Sequence, residues 1–322
     1  MRVIITGGTG LIGRELAQSL NTNNHEVIVL SRQPERVRSL AAGIQVVEWD
    51  ARTAEGWGHL ADGADAIVNL AGESIAGSGL IPSRWRSTRK ERIVQSRINA
   101  AGAVVQAVES AVNKPRVVIQ ASAVGYYGPS GDEVITESRH AGDDFLAQVC
   151  VQWENASTKL EDLGVRRLII RIGLVLSTQG GVLPRLMLPF HFFMGGSLGT
   201  GRQWYPWIHI DDVVSALRFL MTHNGAHGSF NLTAPNPLTN RDFSRVLGKV
   251  MHRPALVSVP SAALKLALGE MATLILDGQR AVPQKLNEIG FSFQFSDAEA
   301  ALRALLESGS APQSQQADLT TS

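Results

Sequence analysis

The chain has 322 residues, 44% of them apolar, and a formal net charge of +1 at neutral pH. That length suits one large α/β domain with an appendage, or two small domains, and a charge so near zero gives no global field drawing in nucleic acid or a membrane surface. Cys150 is the only cysteine, so no internal disulfide exists and a reducing compartment is expected. The first apolar run is too short for a signal peptide and ends in glycines, and no apolar stretch reaches the roughly 18 residues of a membrane span. The expectation is a soluble protein of the cytoplasm, or of an organelle stroma after loss of a transit peptide.

Residues 3–6 read as a strand that runs straight into Gly7, Gly8, Gly10 and Gly13. Gly8, Gly10 and Gly13 fit Gly-x-Gly-x-x-Gly, and Gly7, Gly10 and Gly13 fit Gly-x-x-Gly-x-x-Gly. A helix over 11–20 follows, with Leu16 and Leu20 on its inner face. A glycine cluster between strand and helix is the setting of a dinucleotide site: the backbone closes on a pyrophosphate and the helix N-terminus offers N–H groups. Gly7, Gly10, Leu11, Ile12 and Gly13 are therefore cofactor candidates.

The next strand, 26–30, ends in Leu30-Ser31-Arg32-Gln33, with Arg36 one turn on. An acidic residue at this tip holds the ribose 2′-OH of NAD, whereas an arginine takes the extra phosphate of NADP. No carboxylate stands here; Ser31, Arg32 and Arg36 favour NADP(H). A third strand covers 45–48. Asp50 just beyond it reads as a partner for the adenine amino group or as a turn-forming aspartate. A fourth strand, 66–70, ends in Asn69-Leu70-Ala71-Gly72, whose small residues let the cofactor ribose approach Leu70, Ala71 and Gly72. A helix over 84–109, capped by Ser83 or Ser87, carries six basic residues between Arg84 and Arg97, read as a solvated face in preference to an anion-binding one. Residues 116–121 and 167–171 are strands with a helix over 145–163 between them. Ser122 closes the first of these strands, and Arg171 and Gly173 at the end of the second are further cofactor candidates. Strands alternating with helices predict a parallel, doubly wound α/β sheet of Rossmann type over 1–173.

After Gly173 glycine and proline become frequent. Short strands at 207–210, 229–232 and 256–259 and helices at 211–221, 240–251 and 296–306 predict a smaller α/β substrate region over 174–306, lying on the sheet's C-terminal edge. The tail, 307–322, has little to bury and is expected to be disordered. His209 reads as a buried, hydrogen-bonded histidine, Asp211-Asp212 as a helix start and Cys150 as core. The glycine-rich, aromatic loop 194–207 is suited to fold over a ligand. No His, Cys, Asp or Glu cluster has metal-ligand spacing.

The chain resembles the extended branch of the short-chain dehydrogenase/reductase superfamily in residues 6–13, 69–72, 121–128 and 207–213. It is similar above all to the NAD-dependent epimerase/dehydratase-like subgroup labelled SulA-like or cell-division-inhibitor homologues. Arg84-Trp85, Ser96-Arg97, Trp153-Glu154 and Gly278-Gln279-Arg280-Ala281-Val282-Pro283 carry that likeness. The resemblance implies a nicotinamide dinucleotide cofactor and a Tyr-x-x-x-Lys dyad with an upstream Ser or Thr.

The dyad is absent. The tyrosines are Tyr126, Tyr127 and Tyr205, and the residues four places on are Ser130, Gly131 and His209. Apolar residues and Cys150 fill the segment that would carry it. Ser122 and Tyr126 remain as catalytic candidates. A phenol lacking a cation is a better acid than base, which ranks an NADPH-dependent reductase of a small, fairly apolar substrate above a nucleotide-sugar epimerase or dehydratase. Arg185, Arg202 and Arg241 are the anchors an epimerase would use. The third reading is a non-catalytic, cofactor-dependent sensor or partner protein. A small-molecule substrate is expected, nucleic acid and membrane are not, and a homodimer stays open.

Overall fold

The computed structural model describes residues 1–38, 40–77 and 84–308. Seven parallel strands form the central sheet: β1 (Arg2–Thr6), β2 (Glu26–Ser31), β3 (Gln45–Glu48), β4 (Ala66–Asn69), β5 (Val117–Ala123), β6 (Arg166–Ile172) and β7 (Gly228–Leu232). Their spatial order is β7-β6-β5-β4-β1-β2-β3. The order reverses between β1 and β4, and in an open parallel sheet ligands bind in the crevice at such a switch point, beyond the carboxyl ends of the strands.

Both faces of the sheet are covered, which is why its strands are nearly continuous apolar runs. Val3 and Ile5 face one core with Leu16 and Leu20 of α1 (Leu11–Thr22) and Val213 and Leu217 of α4 (Ile210–Thr222). Ile4, Ile28 and Leu30 face the other, with Trp49, Trp57 and Ala100, Val104 and Val108 of α2 (Ser87–Ser110). α3 (Phe145–Asn155) follows β5. A third core unites Phe190, Tyr205, Trp207, Phe243 and Leu247 of α5 (Asn240–Met251) with Ala301 and Leu302 of α6 (Ala298–Ser308). Among the described residues no helix is long and apolar enough to cross a membrane.

Several expectations shift. Residues 229–232, expected in the smaller region, belong to β7 and extend the main sheet beside β6. The helix expected over 145–163 breaks after Asn155 and resumes at Lys159–Asp162. The Ser157 and Thr158 hydroxyls donate to the carbonyls of Glu154 and Asn155, competing with the helix ladder. Residues 256–259 form no strand; isolated bridges join Gly195 to Ala255 and Leu198 to Val259. Arg86, not Ser87, occupies the cap position of α2, with no side-chain cap bond, and Ser83 lies outside the described residues. Of the tail, Glu307 and Ser308 continue α6, and 309–322 lie outside the described residues.

Candidate functional site: a cleft at the carboxyl edge of the sheet

Thr6, Asn69 and Gln120, at or near the carboxyl ends of three adjacent strands, form one buried polar chain. The Thr6 hydroxyl donates to Asn69 Oδ1, and Asn69 Nδ2 donates to Gln120 Oε1 at 2.8 Å. Thr6 Oγ1 also accepts the N–H of Ala71 at 3.2 Å. These bonds fix the ends of β1, β4 and β5 relative to one another and so shape the crevice floor.

The glycine loop is a backbone cradle. Gly7 has φ +66°, and a Cβ there would stand 2.8 Å from the Leu70 carbonyl carbon. At Gly13 a Cβ would meet the Gly7 carbonyl oxygen at 2.4 Å. Only glycine allows loop, helix and β4 turn to approach this closely. Gly10 caps α1 without a side-chain bond and no acid occupies the first turn, so the helix N-terminus is left to an anion.

A cleft of about 490 Å³ opens from this cradle along the sheet edge. Gly7, Gly10, Leu11, Ile12, Gly13, Leu70, Ser122 and Gly173 all line it. A second cavity, of about 520 Å³, is lined by Thr9, Ser31, Arg32, Gln33, Arg36 and Val37. It unites the three residues expected at a 2′-phosphate with the glycine loop. Arg32 makes no hydrogen bond or ion pair among the described residues. Arg36 is held by Gln33 at 3.1 Å and the Ser31 hydroxyl accepts the Gln33 N–H at 3.2 Å. Ala71 is buried beside Thr6, and Gly72 packs on Arg97.

Three predicted residues are engaged elsewhere. Asp50 accepts the N–H groups of Arg52 and Thr53 at 2.7 and 2.8 Å, the turn-forming alternative. Arg171 is not part of the cleft wall: its fork is bidentate to Glu154, with Nε to Oε1 and Nη2 to Oε2 both at 2.9 Å, and Nη1 donates to the Tyr127 hydroxyl at 3.1 Å. Tyr126 is also outside the lining; its ring stacks on the Arg171 guanidinium, 3.4 Å from the ring centre. Ser122 lines the cleft, but its hydroxyl donates to Glu154 Oε1 at 2.6 Å. Burial pushes the Tyr127 phenol up to about 12 against the pull of Arg171, and the phenol donates to Asn231 Oδ1 at 2.7 Å.

α3 presents Leu146, Val149, Cys150 and Trp153 to the cleft, where a dyad would stand. Burial, then the charge of Glu154, raises the Cys150 thiol to about 11, leaving a neutral, inert group. The remaining polar lining was not expected from sequence. Asp144 caps α3, accepting the Ala147 N–H at 2.8 Å. Asp277 faces the same cleft; burial, then the Asp144 charge, raises its carboxyl, with Lys265 opposing. Trp204, Tyr205 and Pro206 of the loop read as a ligand cover line the cleft, together with Thr273, Leu274, Gly278 and Gln279. Arg185, Arg202 and Arg241 are not in the lining. His209 Nδ1 accepts the Asp211 N–H at 3.1 Å as the cap of α4, and burial lowers its pKa although Asp211 opposes.

The basic stretch before and along α2 is a fastening. Arg84 donates to the carbonyls of Leu266 and Ala267, Lys90 pairs with Glu270, and Arg89 reaches the Ser74 carbonyl at 2.9 Å. The first bonds tie the 266–270 segment to Arg84 and α2, and the last ties α2 to the loop after β4.

A seven-stranded parallel sheet with a glycine cradle at its switch point defines a Rossmann-type α/β protein. The chain belongs to the NAD dependent epimerase/dehydratase family, which matches residues 3–233, and a domain of unknown function (DUF1731) matches residues 259–305. It is similar to an epimerase family protein of Staphylococcus saprophyticus, 40% identical over 304 residues that cover 94% of this chain and 98% of the relative. It is 38% identical to the chloroplastic epimerase family protein SDR39U1 homolog of Arabidopsis thaliana, over 95% of this chain and 87% of that one. Human epimerase family protein SDR39U1, crystallised with NADPH, superposes with a TM-score of 0.85 at 34% identity, covering 95% of this chain and 99% of that one.

Proposed function

We propose that the chain is an NADP(H)-dependent reductase of a small, fairly apolar substrate bearing a carbonyl or an activated alkene. The observation that carries this reading is the face α3 turns to the cleft: Leu146, Val149, Cys150 and Trp153 provide no base. An epimerase must withdraw a proton as it oxidises its substrate and return it afterwards; a reductase needs only an acid. The human relative's NADPH and the Ser31–Arg32–Arg36 cavity favour the phosphorylated nucleotide.

The nucleotide supplies hydride when bound. The chain's own part is binding, orientation and a proton. The α1 N-terminus and glycine cradle hold the pyrophosphate, and Arg32 and Arg36 take the 2′-phosphate. Asp277, its carboxyl raised by burial and by Asp144, donates the proton to the substrate oxygen as the C=O π bond breaks. Ser122, its proton given to Glu154, is left as an acceptor on the cleft wall and holds a donor group of the bound molecules, not the reacting carbonyl. Trp204, Tyr205 and Leu274 exclude water. Nothing in the cleft calls for a division-protein partner, so the SulA-like resemblance adds no role.

The test is a panel of carbonyl compounds, activated alkenes and sugar nucleotides, followed by NADPH consumption and product analysis. Stoichiometric NADPH oxidation by a carbonyl or alkene is expected. Epimerised sugar nucleotide without net NADPH loss would overturn the reading.

A further inference from the structure

The superfamily's dyad would set a lysine beside the nicotinamide, and this chain has Cys150 on that stretch of α3. The structure brings a cation to the same wall from another helix. Arg97 enters from α2, lies 4.8 Å over the Trp153 ring and packs on Gly72, where a Cβ would stand 3.3 Å from its Cγ and Cζ. It lines the cleft and is only 6% exposed.

Its charge is not cancelled. Nη1 donates to two neutral carbonyls, Glu73 at 3.1 Å and Ile93 at 2.8 Å, and Nε is buried with no partner. Among the described residues Nη2 has no hydrogen bond and the guanidinium no ion pair. The Glu73 carboxylate acts on Arg97 from beyond ion-pair range while it pairs with Arg92, 3.5 Å away, and Glu154 is neutralised by Arg171. The cleft's acids lie elsewhere: Asp144 caps the start of α3, nine residues before Trp153 and roughly 13 Å along the helix axis, and Asp277 is close enough to feel its charge. A buried guanidinium without a counter-ion leaves a net positive potential at the ends of β4 and β5. A dinucleotide whose pyrophosphate sits at the β1 cradle extends its nicotinamide half along the crevice in that direction.

We propose that Arg97 takes the electrostatic place of the absent lysine and makes this cleft select the reduced, uncharged dihydronicotinamide over the oxidised, cationic ring. The inference rests on the NADP(H) reading. NADPH and NADP⁺ share every phosphate contact, so the ratio of their affinities isolates the field at the ring.

The experiment measures Kd for NADPH and for NADP⁺ by calorimetry on the full chain, on Arg97→Lys and on Arg97→Met, with circular dichroism checking each fold. The wild type should bind NADPH tighter by roughly tenfold, about 1.4 kcal/mol. Arg97→Lys should keep most of that ratio, and Arg97→Met should bring it to within about twofold of unity. A wild type that binds NADP⁺ as tightly as NADPH overturns the role of Arg97 and leaves the cofactor reading standing. A folded Arg97→Met variant that keeps the ratio does the same. Binding of neither nucleotide brings down both. Should Arg97→Met fail to fold, Arg97→Gln, neutral but able to keep a hydrogen bond to the Ile93 or Glu73 carbonyl, takes its place with the same expected and overturning ratios.

Discussion

Ser122 donates its hydroxyl proton to Glu154 at 2.6 Å while the same carboxylate receives both prongs of the Arg171 fork. Three residues from β5, α3 and β6 are thereby locked together, and of these Ser122 lines the cleft. Both charged side chains are buried, so removal of one strands the other. Glu154→Ala should cost about 3–5 kcal/mol in urea unfolding, because the Arg171 charge then has no counter-ion. Ser122→Ala should cost only about 1 kcal/mol, since Glu154 Oε1 keeps its bond from Arg171 Nε. Equal losses would contradict this division of labour.

Arg32 has no partner among the described residues and stands in the cavity that also holds Thr9, Ser31 and Arg36. Arg32→Ala should weaken NADPH by about 1.5–3 kcal/mol, the range for a lost charge-assisted hydrogen bond, and leave NADH almost unchanged. The check is a titration of the wild type and Arg32→Ala with both nucleotides. An equal loss for NADH would remove Arg32 from the 2′-phosphate site.

Cys150 should resist alkylation. Its thiol is raised to about 11 by burial and by Glu154, so at pH 8 iodoacetamide should modify it only after urea unfolding. The linkage has a definite sign. Folded and unfolded chains both hold the proton below about pH 8.5. Above that the unfolded chain releases it first, so stability is lost as pH rises towards about 11. Cys150→Ala should abolish that alkaline component. Rapid modification of the native protein would show an accessible thiolate.

Asp277 acts as an acid in the proposed reaction, so only its protonated form serves. Turnover should fall as pH rises through its elevated pKa, and Asp277→Asn should erase that limb while lowering kcat by roughly 10²–10⁴. An unchanged pH profile in Asp277→Asn would assign the proton to another group.

Six of the seven strands were legible because each carries an apolar stretch whose two faces need cover; β7, Gly228–Leu232, was placed with the smaller region because it lies in the stretch after Gly173 where glycine and proline become frequent. Partnerships distant in sequence were not legible. Arg171 looked like a cofactor residue since nothing local reveals that Glu154, 17 residues earlier, meets it across α3 and β6. Tyr126 looked catalytic by its nearness to Ser122, yet its ring turned to Arg171. Arg97 was submerged in a basic run, although a signal was present. It lies four residues after Ile93 and three before Ala100, on the apolar stripe of α2, where a charged side chain has a buried neighbour or a ligand to meet. Asp277 gave no such sign, because its place in the cleft depends on how 259–305 folds back over the sheet.

That fold-back divides the cleft between two stretches of chain that share one core. The floor, from Gly7 to Gly173, comes from the part that matches residues 3–233, and Thr273, Leu274, Asp277, Gly278 and Gln279 come from the part that matches 259–305. A chimera joining this floor to the C-terminal stretch of a relative would exchange what the cleft accepts while keeping the nucleotide it carries. The joint runs from the core of Phe243 and Leu247 against Ala301 and Leu302, past Asp212 holding the N–H groups of Gln294 and Phe295, to Arg84 on the carbonyls of Leu266 and Ala267 and Lys90 on Glu270. A graft that preserves those contacts keeps the two halves in register, and one that loses them leaves the new cover unfastened over an intact floor.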